Sequence, residues 1–317
     1  MKRILITGAL GQIGSELTMK CREIYGEDQV IATDIRQPKD EKLSNGPFEI
    51  LDVMDGNKFL EYVKKYRVDS ILHLAALLSA TAENHPLKAW KLNMDGLLNA
   101  LETSRLVKAQ FFTPSSIGAF GPSTPKNNTP QVTLQRPTTM YGINKVAGEL
   151  LSDYYFYKYG VDTRGLRFPG LISYLTPPGG GTTDYAIEIY EEALKNGRYT
   201  CYLAKGTSLD MMYMPDALAA ILDLMEAESS KLKHRNSYNV TAMSVTPGDF
   251  AKEIQKHLPH FVMDYNVDPV RQRIADSWPN SIDAAAAKSE WGFKPAYDLE
   301  NMTIDMLEKL TKQNSYF

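Results

Sequence analysis

The sequence predicts an α/β protein: a doubly wound parallel sheet with a smaller C-terminal lid. Three observations carry this. Short β-branched and aliphatic runs alternate with helical-period segments through about residue 170, a glycine-rich turn joins the first run to the first helix, and beyond 170 the alternation loosens. On this reading residues 1–170 form the sheet domain, segments near 205–242 return to it, and 171–317 are mainly lid.

Residues 2–7 (KRILIT) form a short run that stops at glycine, as a buried parallel strand does. From 12 to 25, Ile13, Leu17, Cys21 and Ile24 keep a helical period. Residues 30–33 are the second strand, ending on Asp34, and 48–51 the third, before Asp52. A helix over 58–66 leads to a fourth strand at 70–74. Pro86 opens a helix that runs to about 106. A fifth strand at 109–113, a polar loop over 115–139, a helix over 141–157 and a sixth strand at 161–168 complete the alternation, cut by Pro169-Gly170. A glycine-rich loop at 177–183 then precedes a helix at 185–196, and a terminal helix lies near 301–311.

The chain has 317 residues, roughly two domains' worth. Its 35 basic and 38 acidic side chains leave a net charge of −3 with the signs interspersed, so neither nucleic acid nor an anionic membrane is an expected partner. Hydrophobic residues at 43% and charged ones at 23% exclude disordered, collagenous and coiled-coil classes. Cys21 and Cys201 stand far apart without a Cys/His cluster, so no metal, no disulfide and a reducing cytoplasmic location are expected. Glycines at 8, 11 and 14 break the apolar run after Met1-Lys2-Arg3 too early for a signal peptide. The apolar stretches at 71–80 and 217–225 fall short of the ~20 residues a bilayer span needs.

Thr7-Gly8-Ala9-Leu10-Gly11-Gln12-Ile13-Gly14 lies between a strand and the head of a helix. Glycine there permits a tight turn, close approach of backbone to a pyrophosphate and packing of helix on sheet, while the helix N-terminus offers N–H donors to phosphate. At the second strand's end, Asp34 can accept hydrogen bonds from both hydroxyls of an adenosine ribose. A 2′-phosphate would want a cation there; Arg36 is the dissenting sign, and NAD is the expected cofactor. Asp52-Val53 fits a hydrogen bond to the adenine amino group plus an apolar wall.

Tyr141 and Lys145, at i and i+4, share one helix face. A phenol with an ordinary pKa of about 10 is a poor base at neutral pH. The neighbouring ammonium is expected to move it toward working range, and the same lysine can hold the nicotinamide ribose hydroxyls. Ser116 can orient a substrate oxygen, and Asn93 can support a proton-relay water.

These landmarks resemble the short-chain dehydrogenase/reductase superfamily, in its extended, UDP-galactose 4-epimerase-like branch. The resemblance spans nearly the whole chain and rests on Gly8, Gly11, Gly14, Asp34, Asp52, His73-Leu74-Ala75-Ala76, Asn93, Ser116, Tyr141, Lys145 and Arg167-Phe168-Pro169-Gly170. It implies a Rossmann-type doubly wound sheet with a substrate-binding lid, and catalysis by Ser116, Tyr141 and Lys145. It also implies an NAD site drawing on Gly8, Gly11, Gln12, Ile13, Asp34, Asp52, Val53, Leu74, Ala75, Ala76, Asn93, Tyr141, Lys145 and Pro169. A homodimer formed through the helices near 88–106 and 141–157 is a further implication.

The default expectation for this branch is a nucleotide-sugar 4-epimerase or dehydratase, in which a stretch like R-D-Y-I-H-V-x-D supplies an arginine for the diphosphate. The corresponding stretch here, Leu209-Asp210-Met211-Met212-Tyr213-Met214-Pro215-Asp216, has Leu209 where that arginine stands, so two phosphates would lose a bidentate clamp. Residues 178–185 (PGGGTTDY), 211–216 (MMYMPD) and 274–279 (IADSWP) look instead like the short-chain L-threonine 3-dehydrogenases, apart from Asp210, where that group often has proline. That resemblance implies that Ser79, Thr182 and Thr183 bind the polar groups of L-threonine. It also implies that Ser116 and Tyr141 address the β-hydroxyl, with hydride passing to NAD to leave 2-amino-3-ketobutyrate. Residues 172–183 contain no Lys, Arg, Asp or Glu, in keeping with a zwitterion held by hydroxyls and backbone. Trp278 reads either as a cover over the site or as core, and glycines 179–181 read as a loop that orders over substrate.

Overall fold

The computed structural model describes residues 1–38, 41–176 and 181–314. β1 (Ile4–Thr7), α1 (Gln12–Tyr25), β2 (Val30–Asp34), the single turn α2 (Glu41–Ser44), β3 (Phe48–Ile50), α3 (Gly56–Lys65) and β4 (Ser70–His73) come first. Then follow α4 (Ser79–Asn84), α5 (Pro86–Val107), β5 (Gln110–Ser116), α6 (Met140–Tyr159) and β6 (Thr163–Phe168). The remainder comprises β7 (Gly170–Ile172), α7 (Tyr185–Asn196), β8 (Arg198–Cys201), β9 (Leu209–Tyr213), α8 (Met214–Glu226), β10 (Tyr238–Asn239), β11 (Met243–Val245), α9 (Pro247–His257), β12 (Val262–Tyr265), α10 (Pro269–Ser277), α11 (Ala285–Trp291) and α12 (Leu299–Asn314).

Among the described residues, seven parallel strands form the main sheet in the order β10-β6-β5-β4-β1-β2-β3. The order reverses at β1, which pairs with β2 on one side and β4 on the other. Connections leaving in opposite directions open a crevice at the strands' carboxyl ends, where ligands of such sheets bind. Both faces of the sheet are buried, which is why its strands read as unbroken apolar runs. Ile4 and Ile6 pack on one side with Leu17 of α1 and Ile221 of α8; Leu5 packs on the other with Phe59 of α3 and Leu101 of α5.

The lid consists of the small sheet β11-β9-β7 and the pair β12-β8, with a core that includes Tyr190, Met211, Phe250 and Met306. Within the stretch expected to return to the main sheet, α8 packs against α1 and β10 pairs with β6, whereas β9 stays in the small sheet. No helix of the described residues is long and apolar enough to cross a membrane.

One local reading changes: Ser115 and Ser116 close β5 rather than open the following loop. Ser79 begins the short helix α4.

Candidate active site

The cofactor end is built on the β1–α1 turn. Gly8 sits at φ +66°, and a Cβ there would meet the Ala75 backbone nitrogen at 2.8 Å; one on Gly14 would meet the Gly8 carbonyl at 2.1 Å. Only glycine leaves this approach open. The Thr7 hydroxyl fastens the next strand end, accepting from the amides of Leu74 (3.2 Å) and Ala75 (3.4 Å) and bonding His73 Nδ1 at 3.0 Å. Burial holds His73 down at about 3, so its ring is neutral. Gly11, the residue before α1, makes no side-chain cap, leaving the helix's first amides for an anion. The Gln12 amide nitrogen is buried without a partner beside them. This turn fits a dinucleotide pyrophosphate.

Asp34 stands at the end of β2, accepting from Leu10 N (3.1 Å) and from Arg36 N (3.2 Å) and Nε (3.4 Å). Arg36 is thereby paired to the carboxylate rather than presented as a separate phosphate site. Asp34, Asp52, Val53 and Ala75 line one groove, with Asp52 Oδ1 accepting from Met54 N at 3.0 Å. The groove adjoins a larger cleft of about 1140 Å³ that contains Gly8, Gly11, Gln12, Ile13, Leu74, Ala76 and Pro169. Asn93 lines a cavity that shares Leu74, Ala75 and Ala76 with the groove. Its carboxamide is occupied by Leu77 N (2.8 Å), Leu77 O (3.2 Å) and Asn144 Oδ1 (3.1 Å), in an inner cavity behind the cleft. These bonds clamp the 77 backbone to α5.

The catalytic end joins β5 to α6. Thr139 caps α6 by accepting from Gly142 N at 3.1 Å, which sets Tyr141 in the first turn. Ser116 Oγ accepts from Gly118 N at 3.1 Å and bonds the Tyr141 phenol. Lys145 Nζ donates to the Pro114 carbonyl at 2.7 Å and lies 5.2 Å from the Tyr141 ring centroid. Both side chains open onto the cleft but are packed round by protein. Burial pushes the Tyr141 phenol up to about 12 against the hydrogen bond from Ser116, and pushes Lys145 down to about 8 against the charge of Glu149. This corrects the expectation for the pair: burial outweighs the neighbouring ammonium, and the phenol stands above its ordinary value.

The same cleft gathers the expected substrate residues. Ser79, Ser116, Tyr141, Lys145, Thr182 and Thr183 all line it, as does Trp278. Thr182 is 2% exposed and its hydroxyl has no partner among the described residues. Trp278, at 6% exposed, is both core and wall. Residues 178–180 of the glycine-rich segment, and with them most of the expected ordering loop, lie outside the described residues. Leu209 is wholly buried in the lid core and does not line the cleft. Asp210, also buried, accepts from Ser244 Oγ and from Ile282 N (2.6 Å), tying three lid segments together. Burial raises it to about 6.

Two residues escaped the sequence reading. Asp184 lines the cleft and accepts from Gly181 N at 2.7 Å; its place just before α7 was the available signal. Glu149 lines the inner cavity with Lys145, and its spacing of one further turn on the Tyr141–Lys145 face was the signal.

Comparison with known proteins agrees with this geometry. The NAD dependent epimerase/dehydratase family matches residues 4–241. An L-threonine dehydrogenase from Clostridium difficile superposes with a TM-score of 0.97 at 64% identity, covering 99% of this chain and 98% of that one. The holo form of an L-threonine dehydrogenase from Cupriavidus necator gives 0.95 at 47% identity, covering 97% and 99%. A relative described as an uncharacterized epimerase/dehydratase, from Staphylococcus haemolyticus, is 62% identical over 99% of both chains.

Proposed function

The chain belongs to the NAD-dependent epimerase/dehydratase family, and within it we propose that it is an L-threonine 3-dehydrogenase, oxidising the β-hydroxyl of L-threonine to give 2-amino-3-ketobutyrate. The observation that carries this reading is the hydroxyl-lined pocket facing Tyr141. Ser79, Ser116, Thr182 and Thr183 line it, with no arginine among its described residues, while Leu209 is buried elsewhere. A net-neutral zwitterion suits such a pocket, and a nucleotide diphosphate would lack its guanidinium. This disfavours a nucleotide-sugar epimerase or dehydratase, and the dehydrogenase neighbours point the same way.

In this reading the β1–α1 turn and Gln12 hold the cofactor's pyrophosphate, Asp34 its adenosine ribose, Asp52 and Val53 its adenine, and Lys145 the nicotinamide ribose. The chemistry NAD supplies when bound is uptake of a hydride from the β-carbon. Ser116 orients the β-hydroxyl and Tyr141 removes its proton as general base, with the Lys145 charge favouring the phenolate. Thr182 offers its unpartnered hydroxyl to the amino-acid end.

A second copy of the chain fits the face made by α5 and α6. Leu87, Trp90, Leu98, Ile143, Leu150 and Tyr157 are exposed along these two adjacent helices, an apolar area a homodimer would cover. The buried, unpaired Cys21 and Cys201 suit the cytoplasm.

The test mixes protein, NAD and L-threonine and follows NADH absorbance. NADH forming with L-threonine, and no turnover of UDP-galactose, is the expected result. Turnover of the UDP-sugar without NADH from threonine would overturn the reading.

A further inference from the structure

The helix face that presents Tyr141 and Lys145 carries a third ionisable group. Glu149 lies one turn beyond Lys145 and is 3% exposed. Its Oε1 accepts from Ser115 Oγ (2.5 Å) and Arg167 Nε (2.9 Å), and its Oε2 from an Arg167 terminal nitrogen (2.7 Å) and Gln135 Nε2 (3.0 Å). Arg167 is itself fixed by the Gln131 carbonyl (2.8 Å) and Asn239 Oδ1 (3.1 Å). Four donors on one carboxylate, two of them from the Arg167 guanidinium, fix it in place.

A small inner cavity behind the cleft is lined by both Lys145 and Glu149. Ser237 Oγ faces the same cavity, buried and without a partner, a polar site suited to ordered water. Lys145 lines cavity and cleft alike, so it connects the two. No direct Lys145–Glu149 ion pair forms among the described residues; their coupling is through space inside the protein, where screening is weak.

We propose that Glu149 is a positioning residue for the reaction: its buried negative charge, held in place by Arg167, keeps Lys145 protonated beside Tyr141. The other groups around Lys145 do not supply that charge. On α6 itself Tyr141 is a neutral phenol at ordinary pH; from β4, His73 is neutral; from β6, Arg167 is positive. From α4, Glu83 accepts from the Met140 amide at the helix start, and α5 contributes the uncharged Asn93. β5 contributes only the Pro114 carbonyl and serine hydroxyls.

The inference rests on the proposed reading only in giving Tyr141 the role of base. Tyr141 and Lys145 share their protons, and phenolate beside ammonium is the working form. Below the pH at which Lys145 titrates, the amount of that form depends on Tyr141 alone. Above it, the amount levels off at a value set by how tightly Lys145 keeps its proton. Removing the charge in Glu149→Gln should therefore leave kcat/KM for L-threonine unchanged only on the acid side, below about pH 6, and lower the alkaline plateau about tenfold, with levelling about one pH unit earlier.

The second readout needs neither cofactor nor substrate. Lysine side-chain carbon resonances followed by NMR against pH, with Lys145 identified by its loss in Lys145→Arg, should show Lys145 titrating about one pH unit lower in Glu149→Gln. Gln135→Ala, which removes a neutral hydrogen bond from the same carboxylate, should leave that titration where it is. If Glu149→Gln does not fold with Arg167 left unpaired, Glu149→Gln/Arg167→Met is compared with Arg167→Met alone, and the downward move is expected between those two. Lys145 titrating as in the wild type, or a rate loss equal at every pH, overturns the proposal. Absence of NADH from L-threonine in the wild-type protein would count against the substrate reading alone, and the NMR titration would still decide the role of Glu149.

Discussion

The two ends of the cleft are made in different ways. At the cofactor end each group sits on a strand–turn–helix unit or at the tip of a neighbouring strand: Gly8, Gly11 and Gln12 after β1, Asp34 at the end of β2, Asp52 after β3 and Leu74 after β4. At the substrate end Ser79, Ser116, Tyr141, Thr182 and Trp278 come from five separate segments. Bonds between distant stretches hold them. Lys126 Nζ donates to the Trp278 carbonyl at 2.8 Å, Asn280 N donates to the Lys126 carbonyl at 2.7 Å, and Glu16 of α1 accepts from Ser173 and from Thr176 Oγ1. Recognition of a common cofactor is thus a local property of the chain. Recognition of a particular substrate depends on how distant segments dock.

That contrast can be broken one end at a time. The largest effect is expected from Tyr141→Phe, which should cut turnover by about a thousandfold, or about 4 kcal/mol of barrier, while NAD affinity measured by calorimetric titration stays unchanged. Gly14→Ala strikes the other end. With its Cβ forced to 2.1 Å from the Gly8 carbonyl, it should cost about 3 kcal/mol in denaturant unfolding and abolish NAD binding.

The pH profile of kcat/KM addresses the pair at the centre. Burial pushes Tyr141 up to about 12 and Lys145 down to about 8. The phenol is therefore protonated at neutral pH, and the rate should climb about tenfold per pH unit as phenolate forms. The climb should level near the pH at which Lys145 loses its proton. A profile flat from acid to alkaline pH would remove Tyr141 from the role of base.

The smallest expected effect belongs to Thr182→Val. The hydroxyl has no partner among the described residues, so thermal stability should not fall. KM for L-threonine should rise about fivefold, the worth of one hydrogen bond.

Legibility follows the same division. The bounds of α1 and α7 match the residues expected, and the turn, Asp34 and the Tyr141–Lys145 face lie where their spacing placed them, because each is fixed by backbone geometry within a few turns of chain. The lid strands, β7 to β9, β11 and β12, are three to five residues long, too short for alternation to set them apart from loop in the sequence, so their pairing partners define them. The bonds of Asn93 were not legible in its spacing because its partners, Leu77 and Asn144, arrive from other segments. The ionisation of Tyr141 went astray for a related reason. Spacing reports which side chains share a face, and burial, which here dominates both members of the pair, is a property of the assembled protein.

The central claim is that the reacting bond is the one between the β-carbon of L-threonine and its hydrogen. It is tested most directly by supplying L-threonine carrying deuterium on the β-carbon and weighing the reduced cofactor by mass spectrometry. NADH heavier by one deuterium is the predicted result. Reduced cofactor of ordinary mass, or none at all, would contradict the account.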